Sequence, residues 1–190
     1  NWAGPRGGCA APTEKGVDVY LRRGQDYVGL AWYQQATDAL GIALALAPSN
    51  PEGLLWMGRA YGRRAEMANP FSAPRFASKA RQMFEKAVAL DPSNREAIGD
   101  LFDYYLGAPG FLGGGVSKAE FLAAKVAQTD PAEGQYYQAL LDDHRKQYDS
   151  AERHLRSAME LAPRQVGRIV GLAGYRSDLG RLKRCERRFG

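Results

Sequence analysis

Four segments of this chain, "ATDALGIALALAPSNP" from Ala36, "ARQMFEKAVALDPSNR" from Ala80, "AEFLAAKVAQTDPAEG" from Ala119 and "AERHLRSAMELAPRQV" from Ala151, align without a gap. In each, a proline follows the leading alanine by twelve residues: Pro48, Pro92, Pro131 and Pro163. Between them Leu40, Phe84, Ala123 and Leu155 share one position, and Ala43, Ala87, Val126 and Ala158 share another. Spacings of four and three put these residues on one stripe of an α-helix, so each segment reads as an amphipathic helix that a proline ends. Four copies in register constrain the chain to an array of repeated units, each burying its apolar face against a neighbour.

Upstream of each copy lies a second helical pattern. "LLWMGRAYG" places Leu54, Met57, Gly58 and Tyr61 at spacings of three, one and three, and "IVGLAGYRSDLG" repeats the arrangement with Ile169, Leu172 and Ala173. The small third residue lets two helices approach closely. These residues resemble the tetratricopeptide repeat, whose W-x2-L-G-x2-Y…A-x3-F…P pattern they approximate. The resemblance covers Val17 to Gly190, with Arg23 and Gln138 standing where the pattern has apolar residues. It implies an all-α, right-handed α-solenoid of helix hairpins, with repeats at 17–50, 51–94, 95–132, 133–164 and a truncated fifth at 165–190. Residues 1–16, rich in Gly, Pro and Ala, form an extended tail ahead of them. Two repeats carry insertions between their helices, "RRAEMANPFSAPRFASKA" and "GAPGFLGGGVSKAE". Both fall at the same point of the repeat and so on one edge, where Met67, Phe71, Phe76, Phe111 and Leu112 are expected to be exposed to a partner.

Charge narrows the partner class. Between Gln165 and Gly190 seven basic residues (Arg168, Arg176, Arg181, Lys183, Arg184, Arg187, Arg188) face only Asp178 and Glu186. Taking these from the 26 basic and 21 acidic residues of the chain leaves 19 of each for everything earlier, so the net charge of +5 sits on the last segment. No aromatic or glycine-rich recognition signature accompanies the patch, so it reads as a solvated or protein-facing surface and not as a nucleic-acid site. The longest apolar run, "ALGIALALAP", is too short for a membrane span. The chain opens on Asn1 without an initiator methionine or an apolar leader, and is read as an exported, extracellular or periplasmic, mature chain.

Signatures of chemistry are sparse. The glycines of "GAPGFLGGGVSK" precede a helix start, but a phosphate-binding loop needs Lys followed by Ser or Thr after a strand, and here Lys118 precedes Ala119 between helices. Ser117 and Glu120 have the spacing of a capping box, which would satisfy that helix start internally. His144 and His154 lie ten residues apart, and "DDHRK" alternates charge as a solvated helix face does. No metal-ligand pair, nucleophile elbow or CxxC motif is present. The chain is therefore expected to be no enzyme and to use no cofactor, metal or small-molecule substrate.

What remains is protein binding. The resemblance implies a concave groove lined by first helices, at positions occupied here by Leu21, Gln25, Val28, Leu55, Arg59, Arg63, Asp103, Tyr136, Leu140 and Asp143. The Lys and Asn set that grips a C-terminal carboxylate in chaperone-binding members is absent, leaving Arg59 and Arg63 as the candidate anion contacts.

The two ends of the chain suggest a further possibility. Aligning "GRLKRCERRFG" on the other second helices puts Cys185 at the small position and Phe189 at the apolar one, after which the repeat stops without a polar cap. In the tail, Trp2 could insert into an apolar pocket and Cys9 could form a disulfide in an oxidising compartment. Cys9 and Cys185 lie four repeat steps apart, roughly 40 Å at about 10 Å per step, while the stretch from Cys9 to Val17 spans at most about 28 Å. A bridge is then reachable between molecules. The chain is read as a structural subunit that stacks head to tail through Trp2, Cys9, Cys185, Arg184, Arg187, Arg188 and Phe189, into a filament or tube; the alternative is a monomeric or dimeric periplasmic scaffold that binds a separate partner in its groove.

Overall fold

The computed structural model describes residues 14–165, and every described element is helical. In order these are α1 (Glu14–Gly29), α2 (Tyr33–Leu46), α3 (Pro51–Met67), α4 (Ala73–Leu90), α5 (Arg95–Gly107), a 3-10 turn at Gly110–Leu112, α6 (Val116–Thr129), α7 (Pro131–His144), α8 (Tyr148–Leu161) and a 3-10 turn at Pro163–Gln165. The chain divides into two compact units, one through Tyr104 and one from Tyr105. Trp2, Cys9, Cys185 and the basic residues from Arg168 onward lie outside the described residues.

In the first unit α1 packs on α2, α2 on α3, and α3 on α4. In the second, α6 packs on α7 and α7 on α8. The aligned small positions are where helices meet: Ala36, Ala80, Ala119 and Ala151 are buried, as are Ala43, Ala87, Val126 and Ala158. Leu40, Phe84 and Ala123 are buried too, whereas Leu155 is half-buried. Leu21, Ala36, Leu40, Met57 and Ala60 form one core cluster, covered by Tyr27, Val28, Leu44, Trp56, Tyr61 and Met83.

The prolines act one residue ahead of themselves. A residue before proline is pushed out of the helical region, and Ala47, Asp91, Asp130 and Ala162 all leave the helix at φ near −135°, with ψ of 81°, 85°, 89° and 68° respectively. Each closes its helix with the same bond, from its own N–H to the carbonyl of Ala43, Ala87, Val126 or Ala158. The next helix then starts from a side-chain cap. The Asn50 carboxamide oxygen accepts from Gly53 N at 2.7 Å, that of Asn94 from Ala97 N at 3.0 Å, and an Asp130 carboxylate oxygen from Glu133 N at 3.1 Å.

Inside the first and fourth hairpins the turn is closed by backbone alone. Ala31 and Lys146 have φ of 60° and 62°. Trp32 N donates to Tyr27 O and Gln147 N to Asp142 O, while Ala31 N donates to Val28 O and Lys146 N to Asp143 O. This is a Schellman ending, with a side chain standing where glycine is usual.

The second and third hairpins differ from the expected insertions. Most of the long insertion is helix: α3 runs on to Met67, α4 begins at Ala73, and only five residues lie between them. Arg, Ala, Glu and Met are good helix formers and prolong α3 until Asn69 and Pro70, while Pro74 sits in the first turn of α4, where its missing N–H costs nothing. In the third hairpin the expected capping box does not form. Gly115, at φ 136°, is the N-cap of α6 without any side-chain hydrogen bond, so Ser117 already lies within the helix. Glu120 pairs instead with Arg145, the residue that follows α7. Gly114 is confined by the backbone of Ala108, which a β-carbon would strike, and Gly115 N donates to Tyr105 O at 2.7 Å. The glycines thus serve a tight turn.

Candidate protein-binding surface

Glu52, Trp56, Arg59 and Arg63 recur along α3 at spacings of four, three and four, forming one stripe. On the other side of the helix Gly58 meets the ring of Phe84 in α4. The stripe is tied to the first helices before and after it. Gln25 of α1 donates from Nε2 to Glu52 Oε1 at 2.7 Å. Arg59 donates from Nε to Asp100 Oδ2 at 2.6 Å and from a terminal nitrogen to Glu96 Oε2 at 2.9 Å, both on α5, while its guanidinium lies 4.8 Å from the centre of the Trp56 ring. Arg63 turns to Glu66 on its own helix at 2.8 Å.

Burial sets the electrostatics of this ladder. Removal from water pushes the Asp100 carboxyl above the ordinary aspartate range, against the opposing pull of Arg59. Burial also works against the charge on Arg59, but the hydrogen bonds and charges of Asp100 and then Glu96 leave its guanidinium above its ordinary value. The candidate anion contact is therefore engaged by two carboxylates of its own chain. What the stripe offers a partner is the half-buried Trp56 beside exposed Glu52, Arg63 and Glu96.

The other positions read as groove-lining fall in two groups. Leu21, Leu55, Tyr136 and Leu140 are buried, packed by neighbouring helices, and present little surface. Gln25 and Val28 are half-buried, and Asp103 and Arg63 are exposed. Of the edge residues, Met67, Phe71 and Phe111 are 74, 96 and 83% exposed. Phe76 and Leu112 are half-buried. Phe76 stacks on Tyr61 with centroids 6.2 Å apart, and Arg64 lies 4.3 Å above the Phe76 ring while donating to Thr37 Oγ1 at 2.8 Å. Phe121, 74% exposed on α6, was not among the residues singled out from sequence; its position in the helical pattern was the available signal.

One further polar contact is partly enclosed. Asp142 of α7 is buried and meets His154 Nδ1 of α8 at 2.9 Å. Among the described residues no cluster of three His, Cys, Asp or Glu side chains is placed to hold a metal ion, and no helix is long and apolar enough to cross a membrane.

No protein-family model and no curated protein sequence matches the chain. Solved structures do. The thermophilic TPR protein TTC0263 of Thermus thermophilus matches at a TM-score of 0.63 and 18% identity, with 83% of this chain and 80% of that chain covered. The MamA protein matches at a TM-score of 0.34 and 17% identity, with 82 and 96% covered.

Proposed function

We propose that this chain, which has the tetratricopeptide-repeat fold, is a non-enzymatic protein-interaction scaffold that receives a protein or peptide segment along the face formed by α1, α3 and the first half of α5. The observation that carries this reading is the polar ladder from Gln25 through Glu52 and from Arg59 to Glu96 and Asp100. It braces three successive first helices in the first unit, so that a partner meets a surface already in place and pays little for ordering it. With Arg59 held by its own carboxylates, the face suits an extended segment with apolar and polar side chains better than a free C-terminal carboxylate.

The test is site-specific photocrosslinking in the native host. A photoreactive residue replacing Arg63 should give adducts with a second polypeptide, and the same residue replacing Lys86, exposed on α4, should not. Equal labelling from both positions, or none from Arg63, would remove the groove reading.

The concentration of positive charge in residues 165–190 favours a second reading, head-to-tail self-association in an exported protein. Trp2 and Cys9 of one copy would then meet Cys185, Arg184, Arg187, Arg188 and Phe189 of the next, with a Cys9–Cys185 disulfide between copies. Non-reducing electrophoresis of native material decides it: a ladder that collapses on reduction and is lost in Cys9→Ser supports it. A single monomer band with both thiols open to alkylation after denaturation rules the bridge out.

A further inference from the structure

Successive helices of the first unit run in opposite directions, so the last turns of α1 and α3 and the first turns of α2 and α4 lie at one end. The bond from Arg64 to Thr37 joins the two hairpins near it. Four large apolar side chains stand out there: Leu30 and Trp32 at the tip of the first hairpin, 57 and 53% exposed, and Met67 and Phe71 at the tip of the second, 74 and 96% exposed. Both tips are fastened. The Trp32 ring lies 5.9 Å from that of Tyr27, beside the Schellman turn, and the Asn69 carboxamide oxygen accepts from Phe71 N at 3.1 Å and Ser72 N at 3.0 Å. The apolar groups are thus held in water on a rigid base, and little order is left to lose when they are buried.

Charge separates along the same axis. Residues 14–104 hold eleven basic and eleven acidic side chains. In the two turns of α1–α4 nearest the tips the bases are Arg22, Arg23, Arg63, Arg64, Arg75 and Lys79, and the acids are Asp26, Asp38 and Glu66. Six against three gives this end +3 and leaves −3 on the rest of the unit. Asp103 of α5, one turn beyond the Asp100 that Arg59 engages, still leaves the end positive. Neither α2 nor α4 has an acidic residue in its first turn, so two helix N-termini add partial positive charge without compensation.

Apolar tips in a positive field fit a surface of anionic lipid, where indole and basic side chains settle at the headgroup boundary. Leu30 and Met67 offer nothing to a nucleic acid, and an acidic peptide would have to pair with cations one by one. Here Arg63 is engaged by Glu66, Arg64 by Thr37 and the Phe76 ring, and Lys79 by the Tyr61 ring. A charged surface responds to their summed field, to which engaged cations still contribute. We infer that the tip end of α1–α4 docks on an anionic lipid bilayer, with Leu30, Trp32, Met67 and Phe71 entering the headgroup boundary and the surrounding bases drawing in the lipid phosphates. It uses neither the groove nor the cysteines.

Flotation of the full chain with vesicles of equal parts phosphatidylglycerol and phosphatidylcholine, under reducing conditions, tests this. The chain should float with these vesicles and stay behind with pure phosphatidylcholine. Phe71→Ser and Arg75→Glu should each weaken binding about tenfold or more; both positions are exposed, and circular dichroism checks that each variant remains folded. With bromine on the acyl chains, tryptophan fluorescence should be quenched, and Trp32→Tyr should remove most of that quenching. No flotation with the anionic vesicles overturns the inference. So does flotation undiminished in both variants, which would assign it to the basic residues after Gln165, or quenching that survives Trp32→Tyr, which would put another tryptophan in the lipid. Binding to polyglutamate as tight as to the vesicles, without quenching, would make the partner an acidic protein and overturn it equally.

Discussion

Gly58 of α3 lies so close to Phe84 of α4 that a β-carbon on it would stand 2.5 Å from the ring Cε1. The two residues occupy the small position of a first helix and the apolar position of the second. Gly24 and Leu40 repeat the relationship in the hairpin before, where an added β-carbon would strike Leu40 Cγ. Hairpin closure in the first unit therefore depends on a missing side chain.

Gly58→Ala should destabilise the protein although alanine is the better helix former. The gain in helix propensity is about 1 kcal/mol, and overpacking against a buried ring costs roughly 1 to 3 kcal/mol. Gly62, one turn on, has nothing within 4 Å of an added β-carbon. Gly62→Ala should stabilise by up to about 1 kcal/mol. Thermal melts of the two variants should move in opposite directions; a shared direction would mean that Phe84 yields freely.

Ala80 is fully enclosed at the small position of α4. Ala80→Trp should cost roughly 1 to 3 kcal/mol or more, as in other overpacked cores. An unchanged melting temperature would contradict the packing of α3 on α4.

Ala31 and Lys146 occupy the left-handed region, which costs roughly 1 kcal/mol for a residue with a side chain. Ala31→Gly and Lys146→Gly should each raise stability by about 0.5 to 1 kcal/mol, since glycine adopts this backbone freely. Urea titration gives the shift in midpoint, and a loss of stability in both variants would show that glycine's entropy in the unfolded chain outweighs the relief.

Asp100 carries a raised carboxyl pKa in the folded chain, so the native state binds its proton more tightly than the unfolded state. The contribution of this group to stability is then fully present below the ordinary aspartate range, near 3.9, and is lost as pH rises through the raised folded value. Asp100→Asn removes the titration. The melting temperature of Asp100→Asn relative to wild type should therefore rise between about pH 3 and pH 7. A fall over that interval would mean that attraction to Arg59 outweighs the desolvation of the carboxylate.

What could be read from sequence divides along a physical line. The helix ends were legible because a proline acts on its immediate predecessor, so Pro48, Pro92, Pro131 and Pro163 announced the exits at Ala47, Asp91, Asp130 and Ala162. The buried alanines were legible because four copies shared their spacing. The caps on Asn50, Asn94 and Asp130 carried a local signal, an Asn or Asp just before a helix, which the repeat alignment passed over. The αL turns at Ala31 and Lys146 carried none, since no glycine marks them. Spacing alone made Ser117 and Glu120 a capping box, but Gly115 moved the helix start and Arg145, 25 residues away, took the glutamate. The positions read as groove-lining were the least legible: Arg59 finds its carboxylates 37 and 41 residues on, and Leu21 and Leu55 are covered by helices that no local pattern locates.

The four exits have a consequence for how such a chain can change length. Ala47, Asp91, Asp130 and Ala162 leave their helices along nearly the same backbone direction, each sealed by one bond to a small residue four positions back. The joints after Ala47 and Asp91 are interchangeable, each followed by an Asn cap three residues on and a new helix directly after it, whereas after Asp130 the next helix begins at once. A duplication or deletion that begins and ends at two such joints preserves the backbone path on either side, so the gene can gain or lose a whole hairpin in one recombination event, with only the side chains at the new helix contact left to adapt.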